Sequence, residues 1–292
     1  MIPAPFQYHT PKTVEEALRL LERHGDEAKL LAGGHSLLPL MKLRLAAPRY
    51  VIDIGRLKTL GGIREVRGKI AIGALTTHAE IEASDLVRRH CPLLAETAGE
   101  IGDAQVRNRG TVGGSLAHAD PAADYPAAIL ALDAEIVAAS KSGHRTIPAA
   151  EFFVDMLTTK LRPGEILTEV RVAPMSAKTG TAYMKLPQPA SGFALVGVAV
   201  RLAISRAGKV DDVRVGITGV GLKAYRATAV ENALRGNPAE DKMFAEAASF
   251  AAQGIEPLSD LHASAAYRKE MAAVFTRRAL HRALGRARGK AD

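Results

Sequence analysis

Two pairs of adjacent glycines constrain the fold of this 292-residue chain more than any other feature of its sequence. They stand in the segments Ala32-Gly33-Gly34-His35-Ser36 and Thr111-Val112-Gly113-Gly114-Ser115, and the first follows a short apolar run. Glycine tolerates positive φ, and without a Cβ its backbone can approach a ligand closely. Successive N–H groups in such turns can bind an anion, helped by a following helix N-terminus. The two segments therefore predict two anion-binding turns that could hold the two phosphates of one dinucleotide.

Other readings of these glycines stay open from the residues alone. A Gly-Gly pair in isolation is more often an ordinary tight turn than a ligand site. Neither segment has the glycine spacing of the Rossmann fingerprint or of the phosphate-binding loop (P-loop) of nucleoside triphosphatases, so neither of those sites is indicated.

The pattern of apolar and helix-capping residues divides the first part of the chain into two units. Residues 1–55 are expected to form a helix–strand–turn–helix–strand unit, in which Thr13 and Glu16 are typical of the capping box that begins a helix. Residues 56–175 are expected to form a second, mixed α/β unit that contains a long turn-rich stretch over 110–124.

Residues 176–292 have a different pattern and are expected to form a third unit. Two long apolar strands, 193–204 and 210–220, are joined by a hairpin-like turn. Helices are predicted to follow over 224–234, 239–252 and 264–284. The pattern predicts an α+β arrangement, with helices packed on an antiparallel sheet.

Composition excludes several kinds of site. Cys91 is the only cysteine, so this chain alone can build neither a disulfide framework nor a cysteine-ligated iron–sulfur or metal site. No apolar run reaches the roughly 18 residues of a membrane span. The first residues lack the basic and apolar regions of a secretory signal. We therefore expect a cytoplasmic protein with no membrane span and no metal ligands.

The net charge of +8 is concentrated in the basic tail, residues 277–290. Such a charge is compatible with nucleic acid or with an acidic protein partner. No aromatic residues alternate with these cations to stack on bases, so the tail is interpreted as a helix end that faces solvent or a partner subunit. No nucleic-acid partner is expected.

The surroundings of the second glycine pair suggest a site for a flat ring system with hydroxyl groups. Residues 111–124 are mostly small and include one histidine and two acids, Asp120 and Asp124. Small side chains leave room for rings, and a carboxylate could accept hydrogen bonds from ribityl or ribose hydroxyls. Alternatively, Asp120, which precedes Pro121, and Asp124 are ordinary turn and N-cap residues.

Four segments, taken together and in order, resemble a known family. They are AGGHSLLPLMKLRLAAPRYVIDI, VRNRGTVGGSLAHADPAADYPA, GEILTEVRV and YMKLPQPASGFALVGVAV. The chain resembles, over nearly its whole length, the FAD-binding medium subunit of molybdenum hydroxylases of the carbon monoxide dehydrogenase type, which are related to the flavin domain of xanthine dehydrogenase. The resemblance implies a two-subdomain FAD-binding fold of the p-cresol methylhydroxylase/vanillyl-alcohol oxidase type plus a C-terminal α+β domain.

The resemblance also implies which residues bind FAD. The two glycine segments would hold the pyrophosphate, Asp124 would bond the sugar-like portion of the flavin, and Lys185 would approach the isoalloxazine. Ile101, Ala117 and Leu167 would lie around the ring. The full set of candidate cofactor-binding residues is Ala32, Gly33, Gly34, His35, Ser36, Leu37, Ile101, Thr111, Gly113, Gly114, Ser115, Ala117, Asp120, Asp124, Leu167 and Lys185. From the residues alone, Leu167 could equally be plain core and Lys185 a solvated strand residue.

The function implied by the resemblance is electron transfer within a larger oxidoreductase. FAD in this chain would take electrons from the [2Fe–2S] clusters of a small subunit and pass them to an external acceptor. A large subunit would carry the molybdenum cofactor and oxidise the substrate, in a dimer of heterotrimers. The alternatives are a self-contained flavin oxidoreductase, an adaptor subunit without flavin and, third, a nucleic-acid-binding protein.

Overall fold

The first sheet has three parallel strands, and its central strand comes last in sequence. A computed structural model describes residues 2–176 and 178–290. The first elements are β1 (Gln7–His9), α1 (Val14–His24), β2 (Ala28–Leu31), α2 (Leu37–Lys42) and β3 (Tyr50–Asp53). β3 pairs in parallel with β1 on one side and β2 on the other. The apolar pattern did not predict β1, which has only three residues and largely exposed side chains.

The predicted capping box of α1 is only half formed. The Thr13 hydroxyl accepts a hydrogen bond from the Glu16 N–H at 3.2 Å, as expected for an N-cap. The Glu16 carboxylate, however, accepts from the N–H of Lys12 at 2.8 Å rather than from that of Thr13. The helix thus begins where the sequence predicts, with the reciprocal bond displaced by one residue.

The second sheet has five antiparallel strands in the order β4-β5-β10-β6-β7, and helices cover it. Its strands are β4 (Ile63–Val66), β5 (Lys69–Gly73), β6 (Glu135–Ser140), β7 (Gly143–Pro148) and β10 (Ile166–Val172), and a separate two-stranded ribbon consists of β8 (Phe153–Asp155) and β9 (Thr158–Thr159). The helices are α3 (His78–Ala83), α4 (Asp85–His90), α5 (Pro92–Gly99), α6 (Ala104–Arg107), α7 (Val112–His118), α8 (Tyr125–Ala131) and α9 (Ala149–Phe152). Much of the predicted turn-rich stretch is therefore helical.

The third sheet is antiparallel, as the sequence predicts, and has four strands in consecutive order. These are β11 (Thr179–Pro187), β12 (Ala194–Ile204), β13 (Val210–Thr218) and β14 (Tyr225–Arg226). The helices α10 (Thr228–Leu234), α11 (Asp241–Ala248) and α12 (Ala265–Ala287) follow. The helix expected over 224–234 begins at Thr228 instead, because Tyr225 and Arg226 pair with β13.

The second and third sheets share one apolar core. Leu94 and Tyr125 from the middle of the chain are buried in the same cluster as Tyr183 and Ala199 from the third sheet. Burial of apolar surface in this cluster stabilises the packing of the second sheet against the third. The three sheets fall within residues 1–55, 56–175 and 176–292, and the division into three units stays a prediction. Among the described helices, none is long and apolar enough to cross a membrane.

Candidate functional site

A cleft of about 640 Å³ lies where the three sheets approach one another. This volume is in the range of small-molecule and cofactor sites. Residues from all three sequence units line the cleft, among them Leu30, Leu167 and Phe193. Of the sixteen residues predicted from the sequence, fifteen line it: Ala32, Gly33, Gly34, His35, Ser36, Leu37, Ile101, Thr111, Gly113, Gly114, Ser115, Ala117, Asp120, Asp124 and Leu167. Lys185 is the exception.

The first glycine segment presents unpaired backbone donors to this cleft. It leaves β2 and turns into α2, and Gly34 has a φ of 84°, a conformation that favours glycine. The N–H groups of residues 33–37 make no hydrogen bond to any described residue. A run of five unpaired amide donors is costly unless water or a ligand satisfies it. The segment is therefore suited to bind an anion, as the sequence predicts.

The second glycine segment has its amides hydrogen-bonded within the fold, unlike the first, and its part in holding a pyrophosphate stays a prediction. Thr111 is the N-cap of α7, and Gly113 and Gly114 lie in its first turn without positive φ. The Gly113 N–H donates to the Ala74 carbonyl at 2.9 Å, and the Gly114 N–H donates to the Thr111 hydroxyl at 3.2 Å. The Val112 and Ser115 N–H groups are bonded as well. These donors are used within the fold, so the segment contributes shape and hydroxyl groups to the cleft rather than free amides.

Close packing explains the glycines of the second segment and brings both segments together. A Cβ on Gly113 would lie 2.7 Å from the Ala74 carbonyl oxygen. A Cβ on Gly33 would lie 2.1 Å from the carbonyl oxygen of Arg109, just before the second segment. Because both distances are far below van der Waals contact, a side chain on Gly113 would push α7 away from Ala74, and a side chain on Gly33 would push the two segments apart.

Asp120 and Asp124 have different roles, although both line the cleft. Asp120 accepts a hydrogen bond from the Ala122 N–H at 2.9 Å, which is the turn role that the sequence left open. Asp124 is the N-cap residue of α8, as the sequence left open, but its side chain makes no capping hydrogen bond. Its Oδ1 accepts from the Tyr183 hydroxyl at 2.6 Å and lies 3.0 Å from the Lys185 ammonium.

Asp124 carries a perturbed carboxyl group. Burial raises its pKa to about 6, against the opposing effects of the Lys185 ammonium and the Tyr183 hydrogen bond. Its Oδ2 has no hydrogen-bond partner in the described part of the chain. Because Asp124 lines the cleft, it can offer this oxygen to a hydroxyl group of a ligand.

Lys185 lies behind the cleft wall rather than in it. Its side chain is 3% exposed, so the alternative of a solvated strand residue is wrong. The ammonium donates to the backbone carbonyls of Glu100 and Gly192, the latter at 2.8 Å, and pairs with Asp124. The residue pattern alone does not reveal these three contacts, because the partners come from separate parts of the chain, and its predicted approach to the isoalloxazine stays a prediction.

His78 is a cleft residue that sequence reasoning missed. It opens α3 after the capping box of Thr77 and Glu80, is buried, and lines the cleft. Its Nδ1 is buried without a hydrogen-bond partner in the described residues. Burial lowers its pKa to about 4, so the imidazole is neutral at pH 7. Ser191, Gly192 and Phe193 were also missed, and no signal in the sequence marks them as part of the cleft.

Comparison with known proteins gives matches over almost the whole chain. The family model "FAD binding domain in molybdopterin dehydrogenase" matches residues 4–175, and the model "CO dehydrogenase flavoprotein C-terminal domain" matches residues 181–283. The carbon monoxide dehydrogenase medium chain of Hydrogenophaga pseudoflava is 42% identical, with 98% of this chain and 99% of that relative covered.

Two further matches are similar. The alpha subunit of the 6-hydroxypseudooxynicotine dehydrogenase complex of Paenarthrobacter nicotinovorans is 40% identical, with 99% of this chain and 97% of that protein covered. A solved structure of carbon monoxide dehydrogenase from Hydrogenophaga pseudoflava, which lacks the Mo-pyranopterin moiety of the molybdenum cofactor, superposes with a TM-score of 0.95 at 44% identity. That superposition covers 98% of this chain and 99% of the other.

Proposed function

This chain belongs to the family of FAD-binding subunits of molybdopterin dehydrogenases, and from that premise we propose that it relays electrons within a molybdenum hydroxylase complex. It is an oxidoreductase subunit of the carbon monoxide dehydrogenase medium-chain type, and its cofactor is FAD. The proposal concerns how the chain holds the cofactor, which partners it has and where the electrons go.

The unpaired amides of residues 33–37 are the observation that carries the proposal for cofactor binding. Five N–H donors in a cleft lined by small residues fit the pyrophosphate of FAD. The unpartnered Oδ2 of Asp124 fits a hydroxyl of the flavin's sugar-like portion. Ile101, Ala117 and Leu167 supply apolar surface for the ring. The residues present therefore fit the group.

The second segment, Thr111–Ser115, has a different task in this proposal. Its amides are engaged in the fold, but the Ser115 side chain has no hydrogen-bond partner among the described residues. Ser115 lies in the cleft beside Gly114, where the absence of side chains lets a ligand approach the helix closely. We propose that this segment forms the opposite wall of the pyrophosphate site.

The proposed electron path needs two partner subunits. FAD, when bound, supplies the exchange between one-electron and two-electron carriers, and the protein binds, orients and tunes it. Burial raises the pKa of Cys91, the only cysteine, to about 12, so its thiol is unsuited to metal ligation. A small subunit is therefore proposed to bring the [2Fe–2S] clusters and a large subunit the molybdenum cofactor, in a cytoplasmic dimer of heterotrimers.

Purification from the native host tests this proposal. The chain should copurify with one iron–sulfur subunit and one molybdenum-containing subunit, and the flavin in the complex should be reduced by the substrate of the large subunit. The isolated chain should bind FAD and oxidise neither carbon monoxide nor aldehydes nor N-heterocycles. Robust turnover by the isolated chain would support a self-contained oxidoreductase instead. Absence of flavin even after reconstitution would support an adaptor.

A further inference from the structure

Two loops from different parts of the chain meet at one end of the cleft. Residues 100–102 follow α5, and residues 191–193 precede β12. Ile101 and Gly102 line the cleft from one side, and all three residues of the second loop line it from the other. The loops touch at their glycines, because a Cβ on Gly192 would lie 3.4 Å from the Cα of Gly102. No side chain is interposed at that contact.

Lys185 bonds both loops at once. Its ammonium donates to the Glu100 carbonyl at the start of the first loop and, at 2.8 Å, to the Gly192 carbonyl of the second. It also forms an ion pair with the Asp124 Oδ1 at 3.0 Å. An ammonium has three N–H donors, and these three oxygens surround it. Its burial removes competition from water, so the bonds are stronger than on an exposed surface.

The third contact attaches Lys185 to a rigid part of the fold. Asp124 also accepts a hydrogen bond from the Tyr183 hydroxyl, and Tyr183 is buried in the apolar core that the second and third sheets share. The backbone before Asp124 is fixed as well, since the Thr218 hydroxyl donates to the Ala123 carbonyl at 2.8 Å. Arg107 bonds the Ile101 carbonyl at 3.2 Å, but it comes from the adjoining helix and does not connect the two loops.

We propose that Lys185 is a positioning residue that holds these two loops together over one end of the cleft, and thereby controls the retention of FAD and the exposure of its ring to water. The role of the loops in FAD retention rests on the proposed function. The connection between the loops is a property of the chain itself.

Amide hydrogen exchange of the full chain without FAD tests the connection. In Lys185→Met, exchange at 100–102 and 191–193 should be about tenfold faster, as expected for one lost hydrogen bond per loop. Lys69→Met, which breaks the half-exposed pair with Glu135 outside the cleft lining, should leave both loops unchanged. In Lys185→Met, the Asp124 carboxylate loses its cation and becomes an unpaired buried charge, which can destabilise the whole fold. The double variant Lys185→Met/Asp124→Asn removes that charge, so faster exchange of the loops in it reports the loss of the lysine's bonds to them.

The FAD-loaded chain supplies the second measurement. FAD should dissociate about tenfold faster from Lys185→Met than from the unaltered chain, whereas Lys69→Met should release it at the unaltered rate. Iodide should also quench the flavin fluorescence more strongly in Lys185→Met. The double variant serves only the exchange experiment without FAD, because Asp124 itself belongs to the proposed FAD site. Normal exchange at both loops in the double variant would overturn the proposal. So would unchanged loops accompanied by a shifted flavin potential, because Lys185 would then act on the ring directly. Failure of the unaltered chain to bind FAD would refute the proposed function, while the exchange experiment would still decide on the loops.

Discussion

Single polar groups without protein partners define the cleft at the scale of residues. The amides of residues 33–37, the Oδ2 of Asp124 and the Nδ1 of His78 all lack a bond to the described part of the chain. Of these groups, the His78 Nδ1 is fully buried, and buried polar groups are nearly always paired in native proteins. The amides belong to half-exposed or exposed residues, so water or a polar ligand in the cleft can satisfy them.

The neutral His78 makes stability depend on pH. Its pKa of about 4 in the folded chain lies below its ordinary value of 6.5, so the unfolded chain binds the extra proton first. Its contribution to stability is complete above pH 6.5 and is lost as pH falls from 6.5 towards 4. The loss in the free energy of unfolding should approach about 3 kcal/mol.

Urea unfolding at several pH values measures this dependence. His78→Gln should lose the corresponding part of the pH dependence, whereas His262→Gln, at an exposed histidine, should keep it. Equal pH dependence in the unaltered chain and in His78→Gln would show that His78 does not stay neutral in the fold.

The sequence predicted residues of the cleft well where function depends on the backbone. Glycines mark positions of positive φ and close approach, so Gly33 and Gly34 could be recognised before the fold was known. The residue pattern alone could not predict the surroundings of Lys185 and His78, because these depend on tertiary contacts. A lysine in a strand pattern is ordinarily solvated, and nothing local indicates that three distant oxygens surround this one.

At the scale of elements, α7 shows how one helix can look like a loop in sequence. Two adjacent glycines are poor helix formers, and they favour a turn in any pattern-based prediction. The helix forms nevertheless, because the Thr111 cap and the Ala74 carbonyl satisfy the N–H groups of its first turn. Long strands such as β12 and β13 were predicted because their apolar runs are unmistakable, whereas β1 and β14 are too short for a periodic signal.

The cap of α7 should matter for FAD binding as well as for stability. Thr111→Val removes the acceptor of the Gly114 N–H at 3.2 Å and should cost about 1 kcal/mol of stability. FAD affinity should fall too, because the start of α7 packs against the first glycine segment. Denaturant unfolding and FAD titration measure the two effects.

Thr13→Val is the matched control. Thr13 caps α1 with a bond of the same length, 3.2 Å, and it does not line the cleft. It should lose similar stability and keep its FAD affinity. If both variants bind FAD equally well, the geometry of α7 does not contribute to the site.

At the scale of the whole molecule, the last helix fastens the third sheet to the middle of the chain. Glu96 of α5 accepts from the Tyr183 N–H at 3.0 Å and from both terminal nitrogens of Arg286 of α12, at 2.8 Å and 3.0 Å. Part of the basic tail is therefore a structural clamp within the chain. The apolar core shared by the second and third sheets lies beneath this clamp and fixes the positions of the cleft residues that these two sheets contribute.

Removing the charge of Glu96 should weaken this clamp. Glu96→Gln should lower the free energy of unfolding by about 2 kcal/mol, the usual value of hydrogen bonds to a partly buried charged group. Glu27→Gln, which breaks the exposed pair with Arg49, should change it far less, because solvent screens that pair. Equal effects of the two variants in urea unfolding would refute the clamp.

The central claim is that the backbone amides of residues 33–37, and not those of residues 112–115, receive the phosphates of FAD. Amide hydrogen exchange of the full chain, resolved by residue with and without FAD, tests it most directly. Residues 33–37 should exchange rapidly in the FAD-free chain and become strongly protected when FAD binds, whereas 112–115 should be protected in both states. Protection gained at 112–115, with 33–37 unchanged, would contradict the claim.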